Sequence, residues 1–286
     1  MTLSKEQINF YQTHGYLTIN DVINKNEFNE LETTTQKWVD KSRTVTQNDE
    51  IFILEENHSA ENPRLKRIKD PYKVDETYKK LVHNNNLLDI IEDLIGPNIR
   101  LQGTKLNMKA SGGGQQVEWH TDWGHYPHTN DDILAVGVAL DDMTEENGCL
   151  LVIPGSHKKP ETSHHEDGIF VGAVEQVDMN EAVPLIVKAG GISIHHVRTL
   201  HASAPNFSDK ERRFLLLSYR AVDSFPLAQP ETTNWDAWNK LIIRGNPTIQ
   251  PRLEKLPVFF PQPTPSTEKG NIFGIQSKLK RSHFSH

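Results

Sequence analysis

The chain has 286 residues, 36% of them hydrophobic and 24% charged, with a formal net charge of −7 and a pI near 6.1. This composition is that of an ordinary globular protein, and its acidic balance argues against nucleic acid as a partner. The single cysteine, Cys149, excludes an internal disulfide and a thiolate-rich metal site. We expect a cytoplasmic protein without membrane contact, because residues 1–7 lack signal-peptide features and no apolar run reaches roughly 18 residues.

The first third of the chain has mainly helical patterns. Ser4 and Gln7 have the spacing of a capping box, which predicts a helix start, and Gly15 ends that helix. Apolar residues recur with helical spacing in residues 26–41 and in two segments between residues 75 and 96. Between these helices, residues 44–75 are polar and irregular, which indicates a long excursion over the domain.

From residue 98 the hydrophobic pattern has a period of two, which is typical of strands. The predicted strands are residues 100–108, 116–122, 133–140, 149–153, 182–187, 191–196 and 213–219. Short strands separated by Gly, Pro and Asn predict a mainly β fold with flanking helices, either a double-sheet jelly roll or a barrel. We expect one domain with a helical part (1–97), a jelly-roll core (98–222) and a C-terminal extension (223–286) that ends in a solvated basic tail.

Residues 117–123 contain a candidate metal site. If this segment is extended, its side chains alternate between two faces, so that His120 and Asp122 point the same way. His201 supplies a second imidazole from far downstream. Two imidazoles and one carboxylate form the facial triad, which leaves metal positions open and suits Fe(II) used with O2. The pattern predicts His120, Asp122 and His201 as metal ligands and catalytic residues.

A His-x-Asp motif recurs by chance, so it is weak evidence when it stands alone. The segment after His201 makes the prediction of a metal site more specific. Residues 201–213 resemble a strand, a polar turn and a return strand, so that Ser203 shares a face with His201 and Arg212 lies opposite. A guanidinium fork matches a carboxylate bidentately. We therefore expect a socket for the far carboxylate of a dicarboxylic co-substrate. Strand alternation turns the rival Arg213 to the opposite face, as an outward charge.

Together these motifs resemble the phytanoyl-CoA dioxygenase family of Fe(II)/2-oxoglutarate-dependent oxygenases, over roughly residues 4–222. The segments that carry the resemblance are residues 6–17, 120–122, 145–148, 153–157, 190–194, 201–206 and 212–213. The resemblance implies a double-stranded β-helix core, a cupin-like jelly roll. The implied site residues are the iron ligands His120, Asp122 and His201 and the 2-oxoglutarate contacts Arg212, Ser203, Asn107 and Trp119.

The resemblance also implies the reaction. Fe(II), 2-oxoglutarate and O2 would hydroxylate an unactivated C–H bond of a small organic metabolite, with decarboxylation of the 2-oxoglutarate to succinate and CO2. Nothing basic, or long and apolar, indicates an acyl-CoA site, so a small polar or amphipathic substrate is favoured. The candidate substrate contacts are Gln102, Lys105, Trp123, His125 and Tyr126. Residues 164–168 are interpreted as a solvated loop, and His195 and His196 as supporting or structural residues.

Two other classes of function remain open at this point. A cupin-type hydrolase or isomerase with Zn(II) or Mn(II) would leave the pairing of Ser203 with Arg212 unexplained. A non-catalytic metal-binding member of the fold would be indicated by a lost ligand, and none is lost. The oligomeric state, monomer or homodimer, does not follow from the sequence.

Overall fold

The computed structural model describes residues 1–228, 234–260, 262, 272–277 and 279–284. Within these ranges the helices are α1 (Lys5–His14), α2 (Lys25–Ser42), α3 (Pro71–Val74), α4 (Glu76–Val82), α5 (Asn85–Ile95), α6 (Asp122–His125), α7 (Trp235–Asn239) and α8 (Ile272–Gln276). The strands in the same ranges are β1 (Tyr16–Ile19), β2 (Phe52–Leu54), β3 (Leu65–Lys69), β4 (Ile99–Lys109), β5 (Val117–His120), β6 (Ile133–Ala139), β7 (Leu150–Val152), β8 (His165–Glu166), β9 (Ile169–Phe170), β10 (Val183–Pro184), β11 (Ile192–His196), β12 (His201–Ser203), β13 (Arg212–Ala221) and β14 (Ile242–Arg244). None of the described helices is long and apolar enough to cross a lipid bilayer.

The first helices begin and end where the sequence predicts. Ser4 and Gln7 exchange side-chain to backbone hydrogen bonds, which completes the capping box of α1, and Gly15 ends that helix at a φ of 79°. The most strongly amphipathic helix, α5, buries Leu87, Ile90 and neighbouring apolar residues in the main hydrophobic core. These helices therefore pack against a sheet of the barrel and cover its outer face.

Two antiparallel sheets form the barrel. The larger sheet has the order β1-β11-β6-β13-β4-β3-β2, with β14 also paired to β4, and the smaller has the order β10-β7-β12-β5. Along β13, Leu215 and Leu217 pack into the core shared with the helices, whereas Phe214 and Leu216 face a separate cluster inside the barrel. The predicted double-stranded β-helix is confirmed.

A bulge in β4 sets which of its side chains face the barrel interior. The register with β13 passes from Gly103 to Leu101 and leaves out Gln102. Residues five apart on a regular strand face opposite sides of the sheet. Because of the bulge, Arg100 and Lys105 instead share the interior face, and both line cavities there.

The expectation of an irregular excursion over residues 44–75 is wrong. This segment contributes β2 and β3 to the large sheet, and β3 pairs with β4 from Arg67 to Lys69. Three of the five residues of β3 are basic, so the strand has a polar sequence although Leu65 and Ile68 are buried. Strands from the first 97 residues are thus built into the same sheet as the jelly-roll core.

The expected solvated basic tail agrees with the structure in the exposure of Lys280 and Arg281, and it differs in the contacts of the neighbouring residues. Helix α8 packs against β5, and beyond it Ser282 and His283 bind the buried carboxylate of Glu118. Lys280 pairs with Asp167, whereas Lys278 lies outside the described residues. Because this segment contains many charged residues, its composition alone predicts solvent exposure and does not show its apolar contacts.

Candidate active site

The three predicted metal ligands converge inside the barrel. His120 ends β5 and His201 begins β12, and the two are paired in the antiparallel register. One ligand atom from each of His120, Asp122 and His201 lies within 4.8 Å of the others. All three side chains are buried, each with 5% exposure or less. The cluster has the donor set and the spacing that one metal ion requires.

Asp122 reaches this cluster by a route that strand alternation does not predict. Strand β5 ends at His120, Thr121 is the N-cap of the short helix α6, and Asp122 is its first residue. The Thr121 hydroxyl accepts a hydrogen bond from the Gly124 amide at 3.1 Å, which stabilises the turn. A helical turn, rather than an extended segment, therefore aims the carboxylate at the two imidazoles.

Backbone carbonyls fix the tautomer of both imidazole ligands. Nδ1 of His120 donates to the carbonyl of Glu118 at 2.8 Å, and Nδ1 of His201 donates to that of Thr199 at 2.9 Å. Each ring therefore presents the lone pair of Nε2 to the cluster. Burial lowers the pKa of His120 well below its usual range and that of His201 to about 3. Both rings are neutral, as metal ligation requires.

The third predicted ligand, Asp122, is ionised in spite of its burial. Burial by itself would raise the pKa of the Asp122 carboxyl, but the positive charge of Lys105 holds it well below its usual range. His195 also faces this carboxylate, with its Nε2 3.5 Å from Oδ2. The supporting position expected for His195 agrees with this geometry.

His164 supports the metal cluster from a loop that the sequence predicts to be solvated. Its side chain is 1% exposed, so that interpretation is wrong for this residue. Nδ1 donates to the carbonyl of Thr162 at 3.0 Å, and Nε2 accepts the amide of Thr121 at 2.9 Å. Burial lowers the pKa of His164 to about 3, which keeps Nε2 free as an acceptor. The density of histidines between residues 120 and 201 was the available signal for this contact.

A cavity of about 40 Å³ adjoins the cluster, and Arg212, Ser203 and Asn107 line its far side. Arg212 is 3% exposed and donates from Nη2 to the carbonyl of Gly148 at 3.0 Å. Its Nε has no hydrogen-bond partner among the described residues, and burial lowers its pKa to about 10. A buried guanidinium with a free donor beside a hydroxyl is suited to a carboxylate.

Arg213 faces the other way, as strand alternation predicts. Its guanidinium binds the Asp141 carboxylate through Nε at 3.0 Å and through Nη2 at 2.7 Å. A further contact joins Nη2 to Glu32 at 3.3 Å. Arg213 therefore fixes the outer face of β13 and has no access to the cavity.

Two tryptophans expected in the site point away from it. Trp119 is fully buried in a separate cluster, where its Nε1 donates to the sulfur of Met179 at 3.0 Å. Trp123 is also buried and donates to the carbonyl of Pro257 at 2.7 Å. Trp119 is next to His120 on a strand, so its side chain points to the opposite face. Trp123 follows Asp122 on a helical turn, so its side chain also points away from the cluster. The structure contradicts the co-substrate role expected of Trp119 and the substrate role expected of Trp123.

The other candidate substrate contacts are divided between two cavities. Lys105 lines the small cavity beside the cluster. Gln102, His125 and Tyr126 line a larger neighbouring cleft of about 940 Å³. Gln102 is separated from the cavity of Lys105 because it occupies the bulge of β4.

Arg67 is a residue of the small cavity that the sequence did not identify. Its Nε donates to the side-chain oxygen of Asn107 at 2.8 Å, and its guanidinium lies 4.9 Å from the ring centre of Phe273. Burial lowers the pKa of Arg67 to about 10 and also lowers that of Lys105, while the charge of Asp122 acts in the opposite direction on both. Arg67 and Lys105 therefore both act on the Asp122 carboxylate, and Arg212 lines the same cavity.

The C-terminal segment closes one side of this cavity. Ile272 of α8 lines it, next to Phe273. The buried Gln276 side chain accepts the amide of Glu118 at 3.0 Å and donates to the carbonyl of Gly172 at 2.9 Å. Because Glu118 also orients His120, the segment is attached directly to the strand that carries a predicted metal ligand.

Comparisons with known proteins agree with this fold. The sequence model of the family described as "Phytanoyl-CoA dioxygenase (PhyH)" matches residues 11–214. A curated protein of Stutzerimonas stutzeri, "Probable alpha-ketoglutarate-dependent hypophosphite dioxygenase", is 33% identical over 98% of this chain and 99% of its own length. The peroxisomal phytanoyl-CoA dioxygenase of Bos taurus is 26% identical over 74% of this chain and 66% of its own. The crystal structure of EctD from S. alaskensis with bound Fe has a TM-score of 0.67 at 20% identity, covering 90% of this chain and 88% of EctD.

Proposed function

The chain belongs to the phytanoyl-CoA dioxygenase family of Fe(II)/2-oxoglutarate-dependent oxygenases, and from that premise we propose that it oxidises a small oxyanion of the hypophosphite type. The enzyme uses Fe(II), 2-oxoglutarate and O2. In the proposed reaction, one oxygen atom of O2 enters a P–H bond of hypophosphite to give phosphite. The other enters succinate as 2-oxoglutarate loses CO2, so that atoms and electrons balance.

We assign iron to His120, Asp122 and His201, and the far carboxylate of 2-oxoglutarate to Arg212 and Ser203. When bound, iron supplies the activation of O2. The protein's own residues hold the ligands in place and keep bulk water out of a buried cavity.

Asn107 completes the assigned co-substrate site. The bond from Arg67 Nε to its side-chain oxygen fixes the amide, so that the amide N–H groups are directed away from Arg67. In this assignment Asn107 and Arg67 position the co-substrate and do not exchange protons with it.

The charge balance of the cavity is the observation that carries the substrate proposal. Iron(II), Asp122 and a 2-oxoglutarate dianion together have one negative charge, whereas Arg67, Lys105 and Arg212 have three positive charges. Buried charges without partners are costly, so the surplus favours an anionic substrate. Lys105 is the cation that we assign to this anion, because Arg212 and Arg67 already have roles in the co-substrate site. A small organic anion with a reactive C–H bond is the alternative that the same charge balance favours.

Phosphorus NMR tests the proposal directly. Protein loaded with Fe(II) is incubated aerobically with 2-oxoglutarate, ascorbate and hypophosphite, and phosphite and succinate are quantified together. We expect the two products in equal amounts, and we expect Lys105→Met to lose hypophosphite-dependent succinate. Lys66→Met is the matched control, because Lys66 pairs with Glu55 outside the cavity. Absence of phosphite, with equal turnover of a small organic acid, would assign the enzyme to C–H hydroxylation instead.

A further inference from the structure

The larger cleft beside the metal cavity has a second cationic wall. Its volume is about 940 Å³, and Arg100 of β4, Arg220 of β13 and Trp238 of α7 form one side. No acidic side chain is among the described residues that line it. The described part of this wall therefore places two guanidinium groups and an indole beside a large space.

Arg100 is the central residue of this wall. Its side chain is 2% exposed, and its guanidinium carbon lies 3.9 Å from the centre of the Trp238 ring. One guanidinium nitrogen donates to the carbonyl of Trp238, while Nε has no hydrogen-bond partner in the part of the chain that the structure describes. A buried cation with a free donor at the wall of a cleft is suited to an oxyanion.

The sheet register places a second guanidinium beside the first. Arg220 is the direct cross-strand neighbour of Arg100, and its guanidinium carbon lies 5.1 Å from the centre of the same indole. The indole holds both guanidinium groups in position beside the cleft.

The cleft leads towards the metal cluster. His125 and Tyr126 line it, and the ring centre of His125 is 5.5 Å from that of His120. The Tyr126 hydroxyl interacts with the Asp122 carboxylate, so this side chain stands between the cleft and the metal cavity. Because of the bulge in β4, Lys105 lies on the same face of the strand as Arg100.

We propose that the cleft is a separate oxyanion-binding site, in which Arg100 collects the anionic substrate before it passes Tyr126 to Lys105 and the metal. A buried cation with a free donor at the wall of a cleft attracts an oppositely charged substrate. The identity of the substrate rests on the proposed function. The binding of a small oxyanion by Arg100 can be measured without turnover.

Calorimetry on metal-free protein tests the binding step. Hypophosphite and phosphite are titrated into wild type, Arg100→Gln, Arg100→Lys and Arg244→Gln. We expect Arg100→Gln to weaken oxyanion binding by about tenfold or more, Arg100→Lys to restore part of it, and Arg244→Gln to retain it. Quenching of Trp238 fluorescence, identified with Trp238→Phe, locates the anion. Wild-type affinity in a folded Arg100→Gln protein, or no binding to wild type, would overturn the proposal.

Steady-state kinetics test the passage to the metal. We expect Arg100→Gln to raise the KM for hypophosphite about tenfold, with kcat and the KM for 2-oxoglutarate within about twofold of wild type. Arg244→Gln is the matched control, because Arg244 on the adjacent β14 pairs with Asp89 and Glu92 at the surface. If only the KM for 2-oxoglutarate rises, the cleft binds the co-substrate and not hypophosphite, and the proposal is overturned. If hypophosphite binds through Arg100 but is never oxidised, the proposed function fails and this site stands.

Discussion

His201 of β12 lies directly opposite His120 of β5, with their ring centres 4.2 Å apart. This pairing joins two segments that are distant in the chain, and β12 is also paired with β7 on its other side. A slip of one residue in a strand turns all of its side chains to the other face. The metal cluster therefore depends on the register of β12 between its two neighbours.

Arg212→Gln is expected to raise the KM for 2-oxoglutarate by roughly 10- to 100-fold, because a charge-assisted hydrogen bond contributes about 1.5–3 kcal/mol. Initial rates of succinate formation over a range of 2-oxoglutarate concentrations measure the change. Arg213→Gln is the matched control. It should leave this KM unchanged and lower the midpoint of urea unfolding, since Arg213 binds Asp141 on the outer face. Equal KM values for the two variants would remove Arg212 from the co-substrate site.

His164 should make the metal-free protein sensitive to acid. Burial lowers the pKa of His164 to about 3, whereas an unfolded histidine has a pKa of about 6.5. As the pH falls below about 6.5, this histidine is therefore protonated in the unfolded state while it is still neutral in the folded state. The stability that neutral His164 provides is complete above about pH 6.5 and is lost as the pH falls towards about 3.

His164→Gln tests this pH dependence, because its amide oxygen can still accept the Thr121 N–H. Urea unfolding at pH 7.5 and pH 4.5 should show that wild type loses about 2 kcal/mol more than the variant between these two values. His165→Gln is the control, because His165 is only partly buried. If wild type and His164→Gln lose the same stability, His164 does not contribute to the acid sensitivity.

The sequence was sufficient to predict the overall architecture and the convergence of His120, Asp122 and His201. The period-two strands and the spacing of Ser203 and Arg212 from His201 are visible in the chain itself. The bulge of β4 is not, since its unpaired Gln102 is defined only by the register with β13. Arg67 was missed for a similar reason, because pairing with β4 turns a polar segment into a strand of the barrel.

Gln276→Ala should release the C-terminal segment from the barrel. The change leaves the Glu118 amide and the Gly172 carbonyl without their partner, at a cost of about 1–3 kcal/mol for each buried group. We expect faster limited proteolysis after α8 and a higher KM for 2-oxoglutarate, because Phe273 then no longer covers Arg67. Ser277→Ala is the control, because its hydroxyl only bonds within the helix turn. A proteolysis rate equal to wild type would show that Gln276 does not hold the segment.

Gly137→Ala should disturb the wall of the metal cavity. A Cβ at this position of β6 would lie 2.0 Å from the ring of Phe214, which lines the cavity. Overpacking of this kind costs about 1–3 kcal/mol, which urea unfolding measures. Gly103→Ala is the matched control, because its Cβ would meet no atom within 4 Å. Equal unfolding midpoints for the two variants would mean that Phe214 moves aside without cost.

Anaerobic titration with Fe(II), followed by calorimetry, tests whether His120, Asp122 and His201 hold one iron together. Wild type and the control His157→Ala, whose ring bonds the carbonyl of Gln12 away from the cluster, should each bind one Fe(II) per chain. Asp122→Ala and His201→Ala should each bind it more than about 100-fold more weakly, because a lost ligand costs more than a lost supporting residue. Wild-type affinity for Fe(II) in the His201→Ala protein would contradict the three-residue iron site.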